Sequence, residues 1–183
     1  HAAYQEGRAA LAQARQHAVV SAMGEFVFRT GTTADGEAML AVHLAAIHAI
    51  ADRFYDSANR ESWAFGLCAD GYREEMAKGE RFELALDSSG NVIAFCGVRD
   101  GEVQGLYVHP LAQGRGLGKA LLQRAEARLA ADGCGILPLT ASLNARGFYE
   151  ANGWQFIEQR EHRSRGGLIQ PVAAMQKAIG SEG

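Results

Sequence analysis

Cysteine and proline are scarce in this chain, three of each among 183 residues. Cys68, Cys96 and Cys134 are far apart and form no Cys-x-x-Cys pair. That argues against a disulfide framework and for buried free thiols in a reducing compartment, so a cytoplasmic location is expected. No apolar run approaches the roughly 20 residues a membrane-spanning helix requires. Positive charge is not in excess either, with 18 basic against 21 acidic residues and a net charge of −3. The bulk electrostatic case for a nucleic-acid partner is therefore missing. The six histidines contain no His-Glu-x-x-His arrangement, and His43 and His48 are spaced poorly for shared ligation, so no metal is expected. What remains, 48% apolar and 21% charged residues, is the composition of one folded domain.

Residues 1–24 are read as an N-terminal helical extension, or a segment added to the natural chain, with the domain proper over residues 25–179. Leu11, Ala14, Ala18 and Val19 are helically spaced there, no continuous apolar signal core is present, and Met23 is an alternative start. Phe26 to Arg29 reads as a strand. Thr32 with Asp35 reads as a capped helix start, and Met39, Val42, Ala46, Ile50 and Phe54 as the stripe of one long helix. Residues 60–78 read as a second helical region weakened by Gly66 and Gly71. Three strands follow, over residues 82–87, 92–98 and 102–108. Leu117, Leu121, Ala125 and Leu129 then mark a helix. Residues 136–142 form a strand, 144–150 a short helix, and 154–158 and 169–177 the last strands. Antiparallel strands first and helices between strands later indicate a mixed α+β sheet.

The segment Leu106-Tyr107-Val108-His109-Pro110 ends a strand, and Gln113-Gly114-Arg115-Gly116-Leu117-Gly118-Lys119 opens a helix. Glycines at alternate positions let successive N–H groups converge on an anion, and the helix start adds partial positive charge. Arg115 and Lys119 can supply full charges, so a pyrophosphate suits the bend. A mononucleotide P-loop fails, because Ala120 follows Gly118-Lys119 and Gln113 stands where the first glycine belongs. A dinucleotide fingerprint fails because the third glycine comes one residue early. A plain glycine-rich turn is the bland alternative.

Gln113-x-x-Gly116-x-Gly118 after Tyr107-Val108-His109-Pro110 resembles the acyl-CoA signature of the GNAT superfamily of N-acyltransferases. Downstream, Asn144 with Phe148-Tyr149 and Gly153-Trp154 resembles the family's second hallmark. The match covers residues 92 to 158, and more weakly extends back to residue 26. It implies a mostly antiparallel sheet of six to seven strands, with a central V-shaped split and about four flanking helices. It also implies acetyl-CoA as cosubstrate, bound by Leu106, Tyr107, Val108, Gln113, Gly114, Arg115, Gly116, Leu117, Gly118, Lys119 and Asn144. A bulge near Gly105 would open the split, with an oxyanion-binding N–H at Leu106 or Tyr107.

On this reading Tyr149 is the general acid that protonates the leaving thiolate. Glu102 is the first choice of general base for the acceptor amine, with His109 second. Tyr55, Trp63 and Phe65 are expected walls of the acceptor pocket. The expected reaction is direct acetyl transfer to a primary amine, on a small molecule. A protein or peptide acetyltransferase and a non-catalytic acyl-CoA sensor are the alternatives. A homodimer is compatible with the family.

Overall fold

Alternation and helical spacing place most elements where the sequence predicts them. The computed structural model describes residues 26–179; the extension expected over residues 1–24 lies outside the described residues. In chain order the elements are β1 (Val27–Thr30), α1 (Gly36–His48), α2 (Ser57–Ala64), α3 (Ala69–Ala77), β2 (Arg81–Leu86), β3 (Val92–Arg99) and β4 (Glu102–Val108). Then come α4 (Leu117–Ala131), β5 (Ile136–Ser142), α5 (Arg146–Ala151), β6 (Gln155–Arg163) and β7 (Ile169–Ala178). Short 3₁₀ turns at Thr33–Asp35 and Pro110–Ala112 precede α1 and α4.

The start of α1 forms as the Thr32–Asp35 spacing predicts. The Asp35 carboxylate accepts from the Thr32 N–H at 2.8 Å and from its hydroxyl at 3.0 Å, and Arg29 binds both carboxylate oxygens. The helix stops at His48, however, so Ile50 and Phe54 lie beyond it. Tertiary bonds override the apolar stripe. The Tyr55 hydroxyl donates to the Pro171 carbonyl at 2.6 Å and accepts from the Leu143 N–H at 3.0 Å, fixing the chain against the far half of the sheet. The expected second helical region is two helices, interrupted at residues 65–68 where Gly66 adopts φ +69°. This break raises the count of α-helices among the described residues to five. The cysteine expectation also changes in part: Cys96 is buried, whereas Cys68 is exposed and Cys134 half-buried, and all three are free.

The seven strands of the described residues lie in the order β1-β2-β3-β4-β5-β7-β6. Every neighbouring pair is antiparallel except β4 and β5, which run parallel and meet at a single position, Val103 with Leu139. Beyond that point the two strands diverge, and the sheet splits. On β4, Gly105 pairs with Gly97 and Val103 with Val98, so Gln104 is an extra, unpaired residue. Such a bulge bends the strand and increases its twist.

Each face of the sheet has its own core. On one, Met39 and Val42 of α1 and Tyr72 of α3 pack on Phe82, Leu84 and Phe95. On the other, Leu117, Leu121, Ala125 and Leu129 of α4 cover Ala94, Cys96 and Val98. Burying a leucine such as Leu121, which is fully enclosed, contributes about 1.5–3 kcal/mol. Polar clamps set the position of α4. Glu83, buried on β2, pairs with Arg124 and Arg128, while Glu126 accepts from the Trp154 indole at 2.8 Å and from Lys177. The Gly153-Trp154 pair thus anchors α4 to the β6–β7 half of the sheet.

Candidate active site

The end of β4 is where chain direction and hydrogen bonding combine into a site. His109 donates its N–H to the Ile93 carbonyl of β3 at 2.9 Å. Successive residues of a strand point their N–H groups to opposite edges, so Tyr107 also faces β3. Leu106 and Val108 therefore turn their N–H and C=O groups into the split. Of the two residues expected to offer an oxyanion donor, Leu106 is the one whose N–H faces the split. Pro110 then ends the strand, and the His109 Nδ1 accepts from the Leu111 N–H at 3.3 Å. His109 is thereby a turn-shaping residue.

Gly114 and Gly116 both adopt left-handed backbone, with φ of 75° and 80°. The bend they make leaves the N–H groups of Gly114, Gly116, Leu117, Gly118 and Lys119 without a protein acceptor among the described residues. For the last three this follows from their place in the first turn of α4. At Gly118 the packing is tight: a Cβ there would stand 3.3 Å from the Phe148 ring. Converging donors at the head of a 15-residue helix form an anion site that fits a diphosphate.

This bend, the inner edge of β4, the Thr140–Ser142 end of β5 and Tyr149 of α5 line one cavity of about 530 Å³. Of the residues expected to bind the cosubstrate, Leu106, Tyr107, Val108, Gln113, Gly114, Gly116, Leu117, Gly118, Lys119 and Asn144 line it. Arg115 does not join them; its guanidinium stacks over the Phe26 ring at 4.4 Å. Asn144 lies outside α5, whose cap is Ala145, and lines the cavity. Tyr149 packs edge-on against Trp154 and Phe148, and no described residue hydrogen-bonds its hydroxyl. Burial pushes this phenol well above its ordinary range, so it keeps its proton.

A second cavity of about 340 Å³ adjoins the first, with Trp63, Gln104, Gly105 and Tyr107 shared between them. His43, Tyr72, Glu75, Glu80, Arg99 and Arg165 contribute its polar groups. Of the expected acceptor walls only Trp63 is here. Tyr55 and Phe65 line neither cavity: Tyr55 is buried by its two hydrogen bonds, and Phe65 is 66% exposed. Glu102 lines neither cavity as well. It sits opposite Arg99 at the outer end of β4, where burial pushes its carboxyl up and Arg99 opposes the shift.

The sequence profile of the acetyltransferase (GNAT) domain matches residues 50–175. The chain belongs to the GNAT acetyltransferase family. Solved GNAT structures share its fold. The GCN5-related N-acetyltransferase from Rhodopseudomonas palustris is 25% identical and superposes with a TM-score of 0.76, over 84% of this chain and 95% of its own. PaiA N-acetyltransferase from Thermoplasma acidophilum, in complex with coenzyme A, is 19% identical with a TM-score of 0.68, over 84% and 99%. A phosphinothricin acetyltransferase from Sinorhizobium meliloti, in complex with acetyl-CoA, is 18% identical with a TM-score of 0.67, over 85% and 89%. No curated protein matches the chain. Among the described residues of this GNAT domain, no three His, Cys, Asp or Glu side chains cluster to hold a metal. None of its described helices is long and apolar enough to cross a membrane. His43, Tyr72, Glu80 and Arg165 of the second cavity come from four separate segments and carry no common motif, so the sequence gives no signal that brings them together.

Proposed function

We propose that this GNAT enzyme moves the acetyl group of acetyl-CoA to the primary amine of a small molecule by direct attack within a ternary complex. The observation that carries this reading is one continuous cavity. It joins the unpaired N–H groups of the glycine bend, the open edge of β4 and the Tyr149 hydroxyl.

Each part has a separate task. The N–H groups of residues 114 and 116–119 hold the diphosphate, and Lys119 adds a full charge. Leu106 and Val108 offer main-chain groups to the pantetheine amides, in the manner of an added strand. Asn144 offers its amide to the same arm. Acetyl-CoA supplies the activated acyl group. The Leu106 N–H, fixed by the bulge at Gln104, steadies negative charge on the carbonyl oxygen as the amine adds. Tyr149 hydrogen-bonds the departing sulfur and passes it a proton. The size of the second cavity favours a compact acceptor over a protein chain.

The test is thiol release from acetyl-CoA across a panel of amines, with calorimetry of acetyl-CoA alongside. Tyr149→Phe is expected to retain acetyl-CoA affinity and to lose at least about tenfold in turnover, within the range of general-acid removal. Unchanged turnover in a chemistry-limited assay removes Tyr149 from the mechanism. No heat with millimolar acetyl-CoA would overturn the whole reading.

A further inference from the structure

Acetyl transfer needs a proton acceptor for the incoming ammonium, and neither Glu102 nor His109 is placed for it. The second cavity holds a carboxylate that is. Gly97 of β3 and Gly105 of β4 face one another across the strands and add no side chains of their own, so the rings of Phe82 and Tyr107 lie close against the sheet there. Glu80, in the turn entering β2, occupies that space: a Cβ on Gly97 would collide with its Oε1. Its nearest cation, Arg99, is 3.9 Å away and is hydrogen-bonded to Glu75 instead. The side chain is only 10% exposed and no described residue donates a hydrogen bond to it.

The surroundings are equally unspent. The His43 Nδ1 shares a hydrogen bond of 2.8 Å with the Tyr72 hydroxyl, and the imidazole lies over the Tyr107 ring at 3.7 Å. Its Nε2 is buried and has no partner among the described residues. At the rim, Arg165 reaches in from the β6–β7 turn, and no described carboxylate pairs with it.

We infer that this cavity is the acceptor site, with Glu80 as the general base and Arg165 binding an anionic group, such as a carboxylate, at the other end of the amine. The inference rests on the acetyl-transfer reading above. An amine nitrogen in the cavity beside Tyr107 stands between Glu80 and the split. Adjacent strands are about 4.8 Å apart, so the nitrogen meets Glu80 directly or through one water. Glu80 takes one ammonium proton, which leaves to solvent. The freed lone pair forms the C–N bond as the carbonyl π electrons pass to oxygen; when they return, the C–S bond breaks and its electrons pass to sulfur. The second ammonium proton, lost as the amide forms, replaces the one Tyr149 gives to the thiolate.

The charges around Glu80 suit this task. Burial pushes its carboxyl up to about 7, with Glu75 reinforcing the shift and Arg99 opposing it. Burial and the charge of Arg165 hold His43 neutral, at about 3, and burial pushes the Tyr72 and Tyr107 phenols up. Glu75 is held low by Lys78 and Arg99. Of these groups Glu80 is the one that changes charge near neutrality.

The experiment compares α- and ω-amino carboxylates with their carboxamides as acceptors. It uses wild type, Glu80→Gln, Glu80→Asp and Arg165→Met, each first titrated with acetyl-CoA by calorimetry. At least one amino carboxylate is expected to exceed its carboxamide by about tenfold in kcat/KM, and Arg165→Met to bring that ratio to within about threefold. Glu80→Gln is expected to lose at least about 10²-fold in kcat/KM and the acid limb near pH 7, while Glu80→Asp keeps a limb. A readout independent of turnover follows from linkage. The folded state binds the Glu80 proton more tightly than the unfolded chain, so wild-type stability falls as pH rises from about 4.5 to about 7. The melting temperature of Glu80→Gln relative to wild type should therefore rise between pH 5 and pH 8. Normal acetyl-CoA binding with near-wild-type turnover and an intact acid limb in Glu80→Gln would overturn the inference, as would carboxamides performing as well as carboxylates. Wild type giving no heat with acetyl-CoA would instead sink the parent reading.

Discussion

The two cavities that meet at Gly105 are made from different materials. The larger takes its distinctive polar groups from main chain: the N–H groups of one glycine bend and the edge of one bulged strand. The smaller is built from side chains carried by α1, α3, β3 and the β6–β7 turn, and by the turn into β2. A main-chain site recognises what every acyl-CoA shares, a diphosphate and two amides. A side-chain site can vary one residue at a time without disturbing the fold. Family membership therefore speaks for the first cavity, and the chemistry of this particular chain resides in the second.

The strongest way to break the comparison is to damage the main-chain cavity alone. Gly116 sits at φ +80° with open space around its Cα, so a new side chain meets no neighbour and acts through backbone strain. A valine there is strained by about 1–2 kcal/mol unless the bend rearranges, and rearrangement turns the N–H groups away from the diphosphate. Gly116→Val is expected to weaken acetyl-CoA binding by about 10²-fold, or about 3 kcal/mol, in calorimetry. It should leave the affinity for an amino carboxylate, measured without acetyl-CoA, within about twofold. Parallel losses on both sides would mean that the two cavities are one unit.

That difference in material also explains how much could be read from sequence. The bend was legible because main-chain sites need glycine at fixed positions, and Gly114, Gly116 and Gly118 are spaced accordingly. The bulge was legible for the same reason, since Gly105 is a poor strand residue unless something approaches it. Glu80 was not legible. A glutamate at the start of a strand is ordinarily solvated, and only the β2–β3–β4 register sets it above Gly97. Tyr55 misled for the opposite reason: an aromatic beside a helix break suggests a pocket wall, but both hydrogen-bonding capacities of its hydroxyl are spent on Leu143 and Pro171. The stripe through Ile50 and Phe54 likewise persists past the helix, because residues 51–55 continue as a bonded turn.

A smaller effect sharpens the boundary between the cavities. A Cβ on Gly105 would stand 2.8 Å from the Tyr107 Cε2. The ring must then move, and it carries the imidazole of His43 upon it. Gly105→Ala is expected to reduce kcat/KM for the acceptor by about tenfold, or about 1.4 kcal/mol, with the acetyl-CoA dissociation constant changed by less than about threefold. A larger loss on the acetyl-CoA side would place the bulge within the cofactor cradle rather than at its border.

The smallest effect separates two cations that the sequence treats alike. Lys119 and Arg115 flank the same glycines, yet only Lys119 lines the cavity, while Arg115 stacks on Phe26. Exposed charges at a rim contribute up to about 1 kcal/mol, so Lys119→Ala should weaken acetyl-CoA binding by about fivefold at low salt. The difference should shrink in 0.5 M salt, where screening shortens the reach of a surface charge. Arg115→Ala should change the affinity by less than about twofold. Should the arginine variant weaken binding as much as the lysine variant, the guanidinium must leave Phe26 when acetyl-CoA arrives. The first strand and the cofactor bend would then be coupled in the bound state.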